Sequence, residues 1–164
     1  ISGGTGGRGE DAAQTRAIMA TNVDGVLNTI LPAIPMMRDR GHGQVAMVSS
    51  LAGILAMPGA PAYSASKAAV RAWGESLRGW LGRRGIHVSV ICPGFIDTPL
   101  TRDNRYAMPF LIDADGAARI IVRGLARNQA MIAFPWPMIA LARFLAALPV
   151  GFRVKLLSRA PKKE

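Results

Sequence analysis

Three short apolar runs alternate along the chain with longer segments whose apolar residues recur at helical spacing. Gln44–Ser49 predicts a strand buried on both faces, Ile86–Ile91 a second buried strand, and Met131–Phe134 a short last strand. The longer segments predict helices from Glu10 to about Arg40, from Ala62 to about Arg84 and from Asp113 to Asn128. Strands that alternate with helices indicate an α/β fold, with a doubly wound parallel sheet and right-handed crossovers.

Individual residues predict where the first two helices begin, bend and end. Glu10 and Asp11 fall in the first turn of the first helix, where the helix dipole favours carboxylates. Pro32 and Pro35 are expected to kink or break that helix late, because proline cannot donate the helical hydrogen bond. Gly85 follows the second helix, at the position where glycine commonly ends one.

The candidate site residues lie after the predicted strands and at the start of the helix between them. Ser50 follows the first strand and Pro93-Gly94 follows the second, while Tyr63 and Lys67 open the helix between them. In an open parallel sheet, ligands bind at the carboxyl ends of the strands. We therefore expect these residues to meet at one edge of the sheet and to form a site there.

Tyr63 and Lys67 form the most informative pair in the sequence. They are four residues apart, so their side chains lie on one face of the predicted helix. A phenol has a reference pKa of about 10, which makes it a poor acid or base at neutral pH. An ammonium roughly 5 Å away is expected to favour the phenolate by ~3 kcal/mol and to lower the pKa of Tyr63 by two to three units. The pair could then serve in acid–base catalysis, with Ser50 holding a substrate oxygen beside it.

Around this pair, four blocks stand in the order and at the distances that are typical of one enzyme family. They are Thr21–Gly25, Gly43–Gly53, Tyr63–Lys67 and Cys92–Thr98. Tyr-x-x-x-Lys alone is a weak signal, but here a serine lies thirteen residues before the tyrosine, an asparagine lies upstream and Pro-Gly-x-x-x-Thr follows. With these blocks the chain resembles the short-chain dehydrogenase/reductase family.

The resemblance implies a Rossmann-like fold and a hydride transfer between NAD or NADP and a small-molecule carbonyl or secondary alcohol. The implied catalytic set is Asn22, Ser50, Tyr63 and Lys67. Tyr63 would exchange the proton, Ser50 would orient the substrate oxygen, and Asn22 would bend its helix and support a relay water. The residues implied to contact the cofactor are Asn22, Tyr63, Lys67, Pro93, Gly94, Ile96 and Thr98. A non-catalytic relative that keeps the fold as a binding or membrane-surface module is the alternative.

Each of these residues also has an ordinary structural interpretation. Asn22 could be a surface asparagine, although asparagine is unfavourable within a helix. Ser50, like Ser49, could cap the loop backbone, and Thr98 could be the N-cap of the segment after Pro99. Tyr63 could simply pack the helix start against a loop, and Lys67 could be a solvated helix residue. For His42 and His87, which lie away from the motifs, structural roles are expected.

Composition and charge narrow the classes of function. The net charge of +10 comes from scattered basic residues with few aromatics, which favours a solvated surface over a nucleic-acid site. The single cysteine, Cys92, excludes an internal disulfide and is typical of a reducing, cytoplasmic compartment. No clustered Cys/His pattern predicts a metal site.

The first residues lack the cofactor turn that the family carries. The glycines of Gly3–Gly9 fit the spacing of a phosphate-binding turn, but such a turn requires a strand before it and a helix after it. Only Ile1 and Ser2 precede this segment, so we expect residues 1–9 to form a flexible loop. The sequence is therefore interpreted as the C-terminal portion of a single Rossmann domain.

Residues 131–164 form a long apolar segment with a basic end. Arg143 and three prolines argue against a membrane span, although the length raises that question. Three interpretations remain: a lid over an apolar substrate, a contact in a homo-oligomer, and an interfacial helix whose basic tail contacts anionic lipid. The last would make the protein peripheral to a membrane.

Overall fold

The computed structural model describes residues 10–102 and 108–158. The expected loop at Gly3–Gly9 and the basic tail from Arg159 lie outside the described residues. The described parts form three strands, namely β1 (Gly43–Val48), β2 (Ile86–Pro93) and β3 (Met131–Phe134). All pair in parallel in the order β1-β2-β3, with Val45 opposite Val88 and Ile91 opposite Ile132. The predicted parallel sheet is confirmed.

The helices follow the predicted alternation with the strands. They are α1 (Ala12–Met19), α2 (Gly25–Ile30), α3 (Ala33–Asp39), α4 (Pro61–Gly82), α5 (Pro99–Arg102), α6 (Ala114–Ala126), α7 (Trp136–Ala147) and α8 (Val150–Leu157). A π-helical turn, Ala20–Asp24, joins α1 to α2, and a 3₁₀ turn, Leu51–Gly53, follows β1. Gly85, expected to end the second long helix, has a φ of 71° three residues after α4.

The first helical run is interrupted where the sequence places prolines. A turn at Leu31 and Pro32 separates α2 from α3, and Pro35 occupies the first turn of α3, where a missing N–H costs little. Among the described helices, the run Ala12–Asp39 is the one long and apolar enough to cross a membrane. It supplies Ile18, Ile30 and Ile34 to the buried interior, so we interpret it as a core helix of the sheet layer.

One face of the sheet packs closely against α4. The core between them contains Val45, Met47, Val70, Leu77, Leu81, Ile86 and Val88. Gly74 permits the close approach, because a Cβ there would lie 2.6 Å from Val90 Cγ2 and 2.9 Å from Met47 Sδ. This packing fixes the position of α4, whose first turns carry Tyr63 and Lys67.

The opposite face is covered only in part. Helix α6 packs on β2 and β3 in a second cluster made of Ile91, Ala117, Ile132 and Phe134. Between α6 and β1, Gln44 Nε2 donates a hydrogen bond to the carbonyl of Leu125, at 2.8 Å. Ala46 and Val48 are exposed, the latter by 53 %. The prediction that the first strand is buried on both faces is therefore wrong for the described residues, because α6 lies over the other two strands.

Candidate active site

The predicted site residues meet at the carboxyl edge of the sheet. Ser49 and Ser50 follow β1 directly, and Pro93 is the last residue of β2. Tyr63 and Lys67 lie in the first two turns of α4, which begins with Pro61 at a position where proline is pre-organised for a helix. The expected grouping at one edge is confirmed.

Tyr63 is largely buried and hydrogen-bonded to the side chain of Ser50. Burial raises the pKa of the Tyr63 phenol above its ordinary value of 10.0, and the hydrogen bond from Ser50 opposes part of that rise. The net direction is opposite to the lowering that we predicted from the charge of Lys67. That prediction is wrong for this structure, because burial of the phenol is the largest cause of the shift in its pKa.

Lys67 lies beside Tyr63, as the spacing predicted. Its Nζ is 5.7 Å from the centre of the Tyr63 ring and donates a hydrogen bond to the carbonyl of Val48 at 3.1 Å. Burial lowers the pKa of Lys67. The ammonium is therefore hydrogen-bonded to the end of β1 while it lies beside the ring of Tyr63.

The two serines after β1 have different partners. Ser50 Oγ accepts the amide of Ala52 at 3.1 Å, which caps the 3₁₀ turn, and it also contacts the phenol of Tyr63. Ser49 is buried, and its hydroxyl donates to the carbonyl of Lys67 at 2.7 Å. Ser50 is thus the serine that contacts Tyr63, while Ser49 fixes the helix backbone.

Asn22 lies in the π-helical turn and is only 6 % exposed. Its Nδ2 donates to Ser66 Oγ at 3.1 Å, and that hydroxyl donates to the backbone carbonyl of Tyr63 at 2.8 Å. The interpretation of Asn22 as a surface residue is wrong, because the widened turn directs its side chain inward to α4. Ser66, which the sequence analysis did not single out, connects Asn22 to Tyr63.

The loop after β2 brings the remaining predicted residues to the same edge. The amide of Gly94 donates to the carbonyl of Phe134 at 2.7 Å. Ile96 and Ile112 form a parallel β-bridge, in which the amide of Asp97 donates to the Ile112 carbonyl and the amide of Ile112 donates to the Phe95 carbonyl. The amide of Ile96 takes no part in this bridge and is directed away from Ile112. Thr98 precedes α5, as an N-cap would, and its hydroxyl lies 3.2 Å from the hydroxyl of Thr101.

Comparisons with known proteins agree with this arrangement. The sequence profile of the short chain dehydrogenase family matches residues 5–108. The chain belongs to the short-chain dehydrogenase family. It is 39 % identical over 136 residues to an uncharacterized oxidoreductase of Myxococcus xanthus, covering 83 % of this chain and 54 % of that protein. An uncharacterized oxidoreductase of Mycobacterium tuberculosis is 36 % identical over 136 residues, which cover 82 % of this chain and 53 % of the relative.

A solved structure shows the same fold. The short chain dehydrogenase of Burkholderia cenocepacia, in complex with NADP, superimposes with a TM-score of 0.77 and 27 % identity. The match covers 92 % of this chain and 62 % of that structure. The chain thus spans about half the length of the curated relatives and somewhat more of the solved one.

Within this short-chain dehydrogenase site, Glu10 has a role that sequence reasoning missed. Its carboxylate accepts the backbone amides of Ala62 and of Tyr63, the latter at 3.2 Å. These amides belong to the first turn of α4, where carboxylates are favoured by unpaired N–H groups and the helix dipole. The expectation that Glu10 begins the first helix is corrected, because Asp11 is the N-cap of α1 and Glu10 caps α4 instead.

Gly53 sets how closely the 3₁₀ turn approaches α4. A Cβ at this position would lie 2.7 Å from both the Lys67 carbonyl oxygen and Ser49 Oγ. The carbonyl of Gly53 accepts a hydrogen bond from Arg71 Nε at 2.9 Å. The missing side chain therefore lets the loop that carries Ser50 pack directly on the helix that carries Tyr63. The sequence placed Gly53 in the family-like block Gly43–Gly53, but its contact with α4 depends on the tertiary packing.

The two histidines and the acidic residues give no sign of a metal centre within residues 10–102 and 108–158. No group of three or more metal-ligating side chains occurs there. His87 pairs through Nδ1 with Asn128 Nδ2 at 2.8 Å, on the exposed side of β2. This is a structural contact away from the site, as expected for that residue.

Proposed function

We propose that this chain carries the active site of an NAD(P)-dependent oxidoreductase that acts on a carbonyl or secondary alcohol. The supporting observation is the contact between Ser50 and Tyr63, with Lys67 on the same face of α4 at the carboxyl edge of the sheet. Family membership and the NADP bound to the solved relative from Burkholderia cenocepacia support the cofactor.

The donor groups at the site suit the nicotinamide half of such a cofactor. The ammonium of Lys67 and the hydroxyl of Thr98 offer donors for ribose and carboxamide oxygens, and the amide of Ile96 is directed away from its bridge. Asn22, Tyr63, Pro93 and Gly94 complete the proposed contact set. When bound, the nicotinamide supplies or accepts the hydride.

The protein side chains handle the proton. Burial raises the pKa of the Tyr63 phenol further above its ordinary value of 10.0, so the phenol is protonated at neutral pH and can donate a proton to a carbonyl oxygen as that oxygen becomes an alkoxide. Ser50 would donate a second hydrogen bond to the same oxygen and orient it. Lys67 would return the proton to Tyr63, and a water supported by Asn22 would connect Lys67 to solvent.

The surroundings of the site favour an apolar substrate. Gly94 packs among the side chains of Leu51, Pro135 and Met138, each within 3.3 Å of where its Cβ would lie. Met138 belongs to the first turn of α7, so this helix forms an apolar wall beside the cofactor loop. We propose a small-molecule ketone or alcohol with an apolar body, handled by a cytoplasmic homo-oligomer.

The test is the substitution of Tyr63 by phenylalanine in the active protein. Reduction of a panel of aromatic and aliphatic ketones is followed through the absorbance of NADH or NADPH. We expect Tyr63→Phe to lower kcat by about 10²- to 10⁴-fold, the usual contribution of a general acid, while cofactor affinity changes less than about twofold. Turnover that survives the substitution would exclude this mechanism. Cofactor binding without reduction of any ketone would favour the non-catalytic module.

We further propose that the chain is the C-terminal portion of a longer Rossmann domain. The exposed Ala46 and Val48 on one face of β1, and the coverage of about half of each curated relative, support this proposal. The proposed contacts reach only the nicotinamide half of a dinucleotide. We therefore expect the 164 residues alone to bind NAD and NADP weakly in a calorimetric titration. Submicromolar binding would instead indicate that Gly3–Gly9 holds phosphate.

A further inference from the structure

The exposed side of α7 and α8 carries a concentration of large apolar side chains. On α7, Trp136 is 78 % exposed and Phe144 is 65 % exposed, and these two residues lie two turns apart on one helix face. Helix α8 has no buried residue. Its exposed apolar side chains are Val150, Phe152, Val154 and Leu156.

Charges of one sign accompany this apolar surface. The sequence has no aspartate or glutamate from Gly116 to Lys163, whereas it has nine arginines and lysines there. Within the two helices, Arg143 and Lys155 are exposed and Arg153 is partly exposed. Apolar aromatic residues bordered by basic residues are the pattern of helices that lie in the headgroup region of a membrane.

From these observations we propose that α7 and α8 form a docking surface for an anionic phospholipid bilayer. Helix α7 has twelve residues and a length of about 18 Å, which is too short to cross a hydrocarbon core of about 30 Å. The helices would therefore lie on the membrane, with Trp136 and Phe144 among the lipid headgroups. Tryptophan is well suited to that depth, since its ring is apolar and its N–H is polar.

Charge distinguishes the bilayer from a second copy of this chain. In a two-fold contact the same patch meets itself, so Arg143, Arg153 and Lys155 would face basic residues with no acidic partner in the helices. The exposed aromatic residues do not belong to a substrate lid, because α7 faces the cofactor loop through Met138 whereas Trp136 and Phe144 are exposed. An anionic lipid surface satisfies both the charge and the exposed aromatic side chains.

Flotation of the purified protein with vesicles tests the proposal. The vesicles consist of phosphatidylcholine alone or of phosphatidylcholine and phosphatidylserine in equal amounts. We expect flotation with the phosphatidylserine vesicles, a much smaller bound fraction with phosphatidylcholine alone, and weaker binding as salt is added. The absence of flotation, or equal flotation with both vesicles, would contradict the proposal.

Substitutions locate the surface. The pair Trp136→Ser and Phe144→Ser should lower the vesicle partition coefficient by about tenfold or more, because two aromatic anchors are lost. Arg143→Gln and Lys155→Gln should each lower it by about fivefold. Trp80→Ser, at an exposed tryptophan of α4, is the matched control and should leave it unchanged. If the control weakens binding as much as the α7 pair, the proposed location is wrong.

Two further measurements distinguish docking on a membrane from contact with a second copy of the chain and from a role as a substrate lid. With Trp73 and Trp80 replaced by phenylalanine, Trp136 is the remaining tryptophan, and brominated phosphatidylcholine in the mixed vesicles should quench it. Absence of quenching would contradict the proposal even if a surface variant failed to fold. A change in oligomer mass caused by the α7 pair, with vesicle binding unchanged, would indicate a second copy. A raised KM for ketones, again with unchanged binding, would indicate a lid.

Discussion

The start of α4 and the helices α7 and α8 are held in different ways. Polar side chains hold the first turns of α4. Glu10 and Ser49, from earlier parts of the sequence, bind the amide of Tyr63 and the carbonyl of Lys67, and Ser66, in α4 itself, binds the carbonyl of Tyr63. Helix α8 is joined to α7 by the bond from Arg153 Nη1 to the Ala146 carbonyl, at 2.8 Å, and buries no residue.

The difference indicates where the fold requires precision. A proton-transferring group must be held closely in place, and buried hydrogen bonds, which are costly to break, provide that restraint. A membrane-docking surface needs apolar area and charge but no fixed rotamers. Substitutions should therefore have large effects at the start of α4 and small effects at the C-terminal helices.

The largest effect is expected at Ser66, for which Ser158 is a matched control. Both hydroxyls bond to the carbonyl three residues earlier, Ser66 in the buried interior and Ser158 at the exposed end of α8. Ser66→Ala also leaves the amide of Asn22 without this partner, so we expect a loss of about 1–3 kcal/mol in the free energy of unfolding. Ser158→Ala should change it by less than about 0.5 kcal/mol. Denaturant unfolding measures both, and equal losses would contradict the comparison.

A smaller effect is expected at Glu10. Glu10→Ala removes the cap of α4 and should cost about 0.5–2 kcal/mol of stability, together with a lower kcat, because the amide of Tyr63 loses its partner. Glu10→Gln keeps an accepting oxygen and should recover much of both quantities. If kcat is unchanged in Glu10→Ala while stability falls, this contact supports the helix without positioning the tyrosine.

The protonation of Tyr63 can be measured directly. Tyr106 is the other tyrosine in the sequence, so a Tyr106→Phe variant reports the phenolate absorbance of Tyr63 alone. Because burial raises the pKa of Tyr63, we expect its titration in the cofactor-free protein above 10.0 and reductive turnover that stays level through neutral pH. Oxidation requires the phenolate and should speed up as pH rises. A phenolate that forms near neutral pH would instead support the prediction that the Lys67 ammonium lowers the pKa of Tyr63.

The smallest effect is expected for polar substitutions on α8. Phe152→Ser removes an apolar side chain that is already 60 % exposed, so little buried area is lost. We expect a change in the free energy of unfolding of less than about 0.5 kcal/mol, whereas Val70→Ala, on the buried face of α4, should cost about 1–3 kcal/mol. Thermal or denaturant unfolding checks both, and a large loss at Phe152 would show that α8 is part of the core.

Local spacing in the sequence determined much of the site. Alternating apolar runs and helical segments predicted the parallel sheet, and the four-residue interval predicted that Tyr63 and Lys67 share a helix face. These features are readable because strand and helix periods depend only on neighbouring residues. Ser50 was selected over Ser49 by the serine–tyrosine spacing that the resemblance to the family implies.

Only the tertiary structure decided which groups lie beside Tyr63 and how they affect it. The carboxylate of Glu10 reaches α4 across 53 residues, and Asn22 reaches Ser66 across 44. The pKa of Tyr63 rises instead of falling because of burial, which depends on the packing of the whole site. The exposed face of β1 likewise follows from where α6 packs. Hydrogen-bond partners and hydration are set by segments far apart in sequence, and no local pattern contains them.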